Sequence, residues 1–181
     1  MKTNGPRYEI RYAAVGGQGI ITAGALLVDI AVKLENKYAL ESPTYTATVR
    51  GGPTKVDILI SDQRILFPQA NAIDFFVCTF QTPFDLYKSR VKDDAIVIVD
   101  SNLVKELGDT RKWKIYQIPI INETKKQLGN VVLTSVVTLS ITQKLTGIIQ
   151  YKNMVEYIKE WAPKDFVDLN IKAIELGRNL I

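Results

Sequence analysis

The residues best placed to do chemistry in this chain offer backbone amides more than side chains. Gly16-Gly17-Gln18-Gly19 follows a strand-like run and opens into a long apolar stretch that carries Thr22 in its first turn. With little bulk at Gly16, Gly17 and Gly19, those amides and the positive end of the following helix dipole can face a phosphate or another anion. The same residues also make an ordinary strand-to-helix bend, and the glycines alone do not separate the two readings. A second candidate is Arg50-Gly51-Gly52. An arginine flanked by residues without side chains can set its guanidinium fork against a phosphate or carboxylate free of steric competition, although an arginine before a turn is often simply solvated.

The remaining inventory limits what such a surface does by itself. The chain has one cysteine, Cys78, and no histidine. It therefore closes no internal disulfide and cannot hold a four-thiolate iron–sulfur cluster alone, and it lacks the commonest zinc ligand and general base. No catalytic residue and no metal ligand set is expected from the sequence. Cys78 lies in the apolar run Phe75-Phe76-Val77-Cys78, where a thiol behaves as a small buried hydrophobe. The 23 Lys and Arg against 19 Asp and Glu give a net charge of +4, spread along the chain. That distribution does not point to nucleic acid. A short polar start and the lack of an uninterrupted apolar span lead us to expect a cytoplasmic protein with no membrane contact. At 181 residues the chain is expected to form a single domain, 1–181.

The elements that must position these loops follow from periodicity. Residues 7–15 alternate and then turn apolar, as in a strand entering the middle of a sheet. Residues 20–34 are polar only at Thr22, Asp29 and Lys33, which predicts a largely buried helix whose wet face carries the Asp29–Lys33 pair. A strand is expected over 37–41, ended by Ser42-Pro43. Further strands are expected over 54–61, 73–79, 95–100 and 113–118, with a short extended piece at 65–68. A proline-initiated helix over 83–90 between two buried strands implies a parallel pair with a right-handed crossover. Asp100 is expected to act as a helix cap. Helices are predicted over 130–144, stopped by Thr146-Gly147, and over 153–161 and 165–180. The pattern is that of an α/β protein.

One reading of the glycine loop is a dinucleotide site, since Glu41 lies 22 residues after Gly19, near where a ribose-binding carboxylate belongs. Thr22 stands where the third glycine of that pattern would be. Its branched side chain opposes close helix-to-strand approach, and no second set of polar groups offers chemistry beside a nicotinamide.

Taken in order, Gly16-Gly17-Gln18-Gly19 with Thr22-Ala23-Gly24, then Tyr45 before Arg50-Gly51-Gly52, then Ile60-Ser61, Ile65 and Pro68, resembles the gamma subunit of 2-oxoacid:ferredoxin oxidoreductases. The likeness continues through Asp74, Asp100-Ser101, Gly129-Asn130 and the late Asn170, Ala173 and Gly177, and so spans nearly the whole chain. It departs from the family at Ala14, at Thr46 to Thr48 and near Thr134, where glycine, Gly-Pro-Glu and glycine are usual. The resemblance implies a three-layer fold, a mostly parallel Rossmann-like sheet with helices on both faces. It implies work beside alpha, beta and in some cases delta subunits, with ferredoxin or flavodoxin as electron acceptor. Thiamine diphosphate, magnesium and iron–sulfur clusters would be held by the other chains, with coenzyme A as co-substrate. The reaction so implied is oxidative decarboxylation of 2-oxoglutarate or pyruvate to the acyl-coenzyme A. Gly16, Gly17, Gln18, Gly19, Thr22, Tyr45, Arg50, Gly51 and Gly52 are the candidate cofactor-side contacts. An indolepyruvate-type relative shares these motifs, and a stand-alone nucleotide-binding module remains the reading from a different class.

Overall fold

A computed structural model describes residues 7–44 and 51–181. Six strands form one sheet: β1 (Tyr8–Val15), β2 (Tyr38–Thr44), β3 (Pro53–Ser61), β4 (Ile73–Cys78), β5 (Val91–Asp100) and β6 (Lys114–Ile118). They lie in the order β2-β3-β1-β4-β5-β6. β1 pairs in parallel with β4, β4 with β5, and β5 with β6. β3 alone is reversed, pairing antiparallel with both β1 and β2. The sheet is therefore mostly parallel, as the sequence led us to expect.

The reversal of β3 is what builds the site. An antiparallel partner brings its first residues beside the last residues of β1, so Pro53 sits opposite Val15 and Thr54 opposite Ala14. The residues just before β3 thereby meet those just after β1.

Alternation along β1 divides the core. Tyr8, Ile10, Tyr12 and Ala14 face α1 (Ile20–Lys33), while Ala13 joins Leu59, Phe76 and Cys78 on the opposite face. The second face is covered by the short α2 (Gln81–Tyr87), whose Phe84 stacks on Phe76 with ring centres 6.0 Å apart. The first face is thicker, with α3 (Ile120–Leu128), α4 (Thr134–Thr146), α5 (Tyr151–Trp161) and α6 (Val167–Asn179) following in the chain. Burial of Leu26, Leu27 and Ile30 anchors α1, at about 1.5–3 kcal/mol per side chain.

α4 is buried over most of its length although half of it is hydroxyl-bearing. Most of those hydroxyls bond locally: Thr142 Oγ1 donates to the Thr138 carbonyl, Thr146 Oγ1 to that of Thr142, and Tyr12 Oη to Thr142 Oγ1 at 2.7 Å, while Thr138 Oγ1 is buried with no partner among the described residues. On its far side Ser140 Oγ donates to the Ile174 carbonyl of α6 at 2.6 Å. α4 and α6 cross very closely, since a Cβ on Gly177 would lie 2.6 Å from the Val137 carbonyl oxygen and 2.7 Å from Ser140 Cβ.

Two strand boundaries need correction, and the extended piece at 65–68 pairs with no strand of the sheet. β2 does not stop at Ser42-Pro43 but runs to Thr44, as an edge strand, paired on one side only, can accommodate a proline. The loop that carries residues 65–68 is held by Arg7, which donates to the carbonyls of Phe67 and Gln69, and by Glu9, which accepts from the amides of Asn71 and Ala72. β5 starts at Val91 rather than 95, with a register shift beside Ile73.

Candidate functional site

The glycine turn and the segment before β3 meet at the carboxyl edge of β1. The Gly16 amide donates to the Gly52 carbonyl at 3.2 Å, and a Cβ on Gly16 would lie 3.7 Å from the Gly51 nitrogen. Gly16, Gly17, Thr22 and Gly51 are exposed there, and Gln18, Gly19 and Gly52 are half-buried. Tyr45 and Arg50, with Thr46, Ala47 and Thr48, lie outside the described residues.

Gly17 and Gly19 have φ of 94° and 70°, a region that disfavours any side chain. Gly19 is doubly required. A Cβ on it would meet Ser135 Cβ and the Val132 carbonyl oxygen, both at 3.3 Å, so the turn is seated against the start of α4. Gly19 also caps α1, which has no side-chain cap and no acidic residue in its first turn, leaving the amino-terminal amides of this helix to the surface.

Gln18 is anchored rather than free: its Oε1 accepts a hydrogen bond from Thr79 Oγ1 at 2.5 Å, just beyond β4. The resulting cavity, about 170 Å³, is lined by residues 15–22 and Thr54. That is below the 300–1,000 Å³ usual for whole small-molecule sites and suits a phosphate-sized group or a projecting partner group. Thr54, Thr79, Val132 and Ser135 belong to this surroundings and were not among the residues singled out in the sequence. Thr54 had a signal in its place directly after Gly-Gly-Pro; the other three are brought in by tertiary contacts only.

The ribose-binding reading of Glu41 fails on geometry. With β3 inserted between β1 and β2, Glu41 pairs with Ile58 in mid-strand and does not line the glycine cavity. Its Oε2 is buried with no hydrogen-bond partner among the described residues, 3.3 Å from a Cβ placed on Gly24. Burial, with a smaller contribution from Asp29, raises its pKa above the ordinary glutamate value. The close helix-to-strand approach is made by Gly24, where a Cβ would meet Val56 Cγ1 at 2.9 Å, and not at Thr22.

Asp100 is a cap, but for a distant helix: its carboxylate accepts from the amide of Ile121 in the first turn of α3 at 2.8 Å and from that of Asn102 at 2.9 Å. Cys78 is buried, its Sγ donates to the Phe80 carbonyl, and desolvation pushes its pKa up to about 12. Such a thiol is neither a nucleophile nor an available ligand, so an iron–sulfur cluster does not fit this chain. Among the described residues no three Cys, Asp or Glu side chains group as metal ligands, and no helix is long and apolar enough to cross a membrane.

The sequence pattern of the pyruvate ferredoxin/flavodoxin oxidoreductase family matches residues 9–180. Among characterised relatives, 2-oxoglutarate synthase subunit KorC of Methanocaldococcus jannaschii is 33% identical over 94% of this chain and 92% of its own length. The solved gamma subunit of a keto/oxoacid ferredoxin oxidoreductase from Geobacter sulfurreducens superposes with a TM-score of 0.88 at 30% identity, covering 97% of each chain. The 2-oxoglutarate:ferredoxin oxidoreductase of Magnetococcus marinus shares the fold with a TM-score of 0.85 at 19% identity, over 98% of this chain and 31% of that longer one.

Proposed function

Since the chain belongs to the pyruvate ferredoxin/flavodoxin oxidoreductase family, we propose that it serves as the gamma-type subunit of a multisubunit 2-oxoacid:ferredoxin oxidoreductase whose substrate is 2-oxoglutarate. The subunit role rests on relatives that are themselves such subunits along nearly their whole length. The choice of 2-oxoglutarate rests on a 2-oxoglutarate synthase subunit at 33% identity, against 29% for a gamma subunit shared by pyruvate and ketoisovalerate oxidoreductases and 27% for a pyruvate synthase subunit.

The complex converts a 2-oxoacid, coenzyme A and oxidised ferredoxin into acyl-coenzyme A, carbon dioxide and reduced ferredoxin. Thiamine diphosphate, magnesium and iron–sulfur clusters belong on alpha, beta and delta subunits, and no catalytic step is assigned to this chain, which alone is inactive. It acts in the cytoplasm as one domain over 1–181.

Its own contribution is the glycine-rich edge. Gly16 to Gly19, Thr22, Gly51 and Gly52 form a surface rich in backbone amides that meets the cofactor-bearing subunits or an anionic group of coenzyme A, and Tyr45 and Arg50 are carried from the sequence as further contacts. The hydrogen bond from Gly16 to Gly52 carries this reading, because it joins two loops separated by 36 residues into one surface.

Thr22→Asp tests it. An acid in the first turn of α1 favours the helix by about 0.3–1 kcal/mol, so the fold is retained while negative charge enters the site. In the reconstituted complex the KM for coenzyme A should rise roughly tenfold, or assembly should weaken comparably. Unchanged KM and assembly would overturn the role of this edge.

A further inference from the structure

A second cavity lies on the opposite face of the sheet. Thr54 lines the glycine cavity, and the next residue, Lys55, projects the other way into a recess of about 420 Å³ walled by Arg11, Lys55, Leu86, Tyr87, Ser89 and Arg90. Three cations and no carboxylate line it. Its volume falls within the range of ligand sites.

Asp57 sits behind the wall and neutralises part of this charge. Arg11, itself only 3% exposed, grips it in bidentate fashion through Nε at 2.6 Å and Nη2 at 2.9 Å, and Lys55 Nζ contacts it at 2.5 Å. Arg11 Nη1 donates to the Tyr87 carbonyl, and the Tyr87 ring lies 5.8 Å from the Arg11 guanidinium and 5.9 Å from the Lys55 ammonium. The Asp57 pairing and the Tyr87 contacts fix Arg11 and Lys55 in place before any ligand arrives. Arg90, at the rim, donates from Nη1 to the Ala70 carbonyl at 3.3 Å and has further donors beyond that bond. One carboxylate against three cations leaves two positive charges converging on the recess, and Ser89 adds a hydroxyl.

We propose that this recess is an anion site for a phosphomonoester of a small ring-bearing molecule, its dianionic phosphate held by Arg90, Lys55 and Ser89 and its ring lying along Tyr87 and Leu86. A dianion matches the excess of two charges, and the planar guanidinium of Arg90 suits a phosphate's geometry. The proposal is independent of the oxidoreductase reading.

Phenyl phosphate is the probe, followed by amide chemical shifts of the full chain. The backbone amides at residues 86–90 should shift saturably, and Arg90→Glu, an exposed change that leaves the sheet intact, should weaken the affinity by about tenfold or more. Shifts that do not saturate, or an affinity equal in the variant, would overturn the site. The titration is repeated on the chain purified with its native partners. Retained binding supports a free metabolite as occupant, whereas lost binding overturns it by showing that a partner's acidic group fills the recess.

Discussion

At the scale of single residues, the most consequential side chain outside the glycine turn is Glu41. Its Oε2 is buried beneath α1 with no hydrogen-bond partner among the described residues, and burial together with Asp29 raises its pKa. Because the folded pKa lies above the unfolded one, the stabilising contribution of this group is complete below the unfolded value and is lost as pH rises through the folded value. Raising the pH from the acid range to neutrality therefore removes stability at this group. Glu41→Gln should be more stable than the parent at pH 7, with the advantage shrinking toward pH 4, as read from urea midpoints at the two values. A difference independent of pH would contradict this account. The sequence singled out Glu41 through its distance from Gly19, but spacing along the chain carries no information on which strand will be inserted between the two. In contrast, Gly17 and Gly19 were legible, because a glycine run between a strand and an apolar helix announces backbone angles that other residues avoid.

Among the elements, α1 and α4 were readable from apolar content alone, and Gly147 in the left-handed region ends α4 where the sequence indicated. The reversal of β3 was not readable, because an alternating strand looks the same in either direction, and it is this reversal that sets Gly51-Gly52 against Gly16. Asp100 was legible as a cap but not its recipient, Ile121, twenty-one residues later. The close crossing of α4 and α6 depends on Gly177. Alanine there would drive a methyl group into the Val137 carbonyl and Ser140. The expected cost is about 1–3 kcal/mol, since backbone on both sides must move apart. Equilibrium denaturation of Gly177→Ala checks it, and a loss below about 0.5 kcal/mol, the range of a neutral surface change, would contradict the packing described.

At the scale of the whole molecule, the fold presents a glycine-rich edge and, on one face of the sheet, a basic recess to its surroundings. The carboxyl edge of β1 offers amides, a first turn of α1 that bears no acidic residue and the glycines of two loops, with few side chains to define a substrate. A chain whose single thiol is buried and raised to about 12, and which has no histidine, fits a supporting subunit better than a self-sufficient catalyst. The sequence made that division of labour legible by what it lacks, while no residue of it marks one 2-oxoacid over another. The most direct measurement is to purify the complex through a tag on this chain and follow coenzyme A-dependent reduction of ferredoxin with 2-oxoglutarate and with pyruvate. The account predicts co-purifying subunits that carry thiamine diphosphate and iron, and a kcat/KM for 2-oxoglutarate roughly tenfold or more above that for pyruvate. A chain that emerges alone, or a complex that oxidises neither 2-oxoacid, would contradict it.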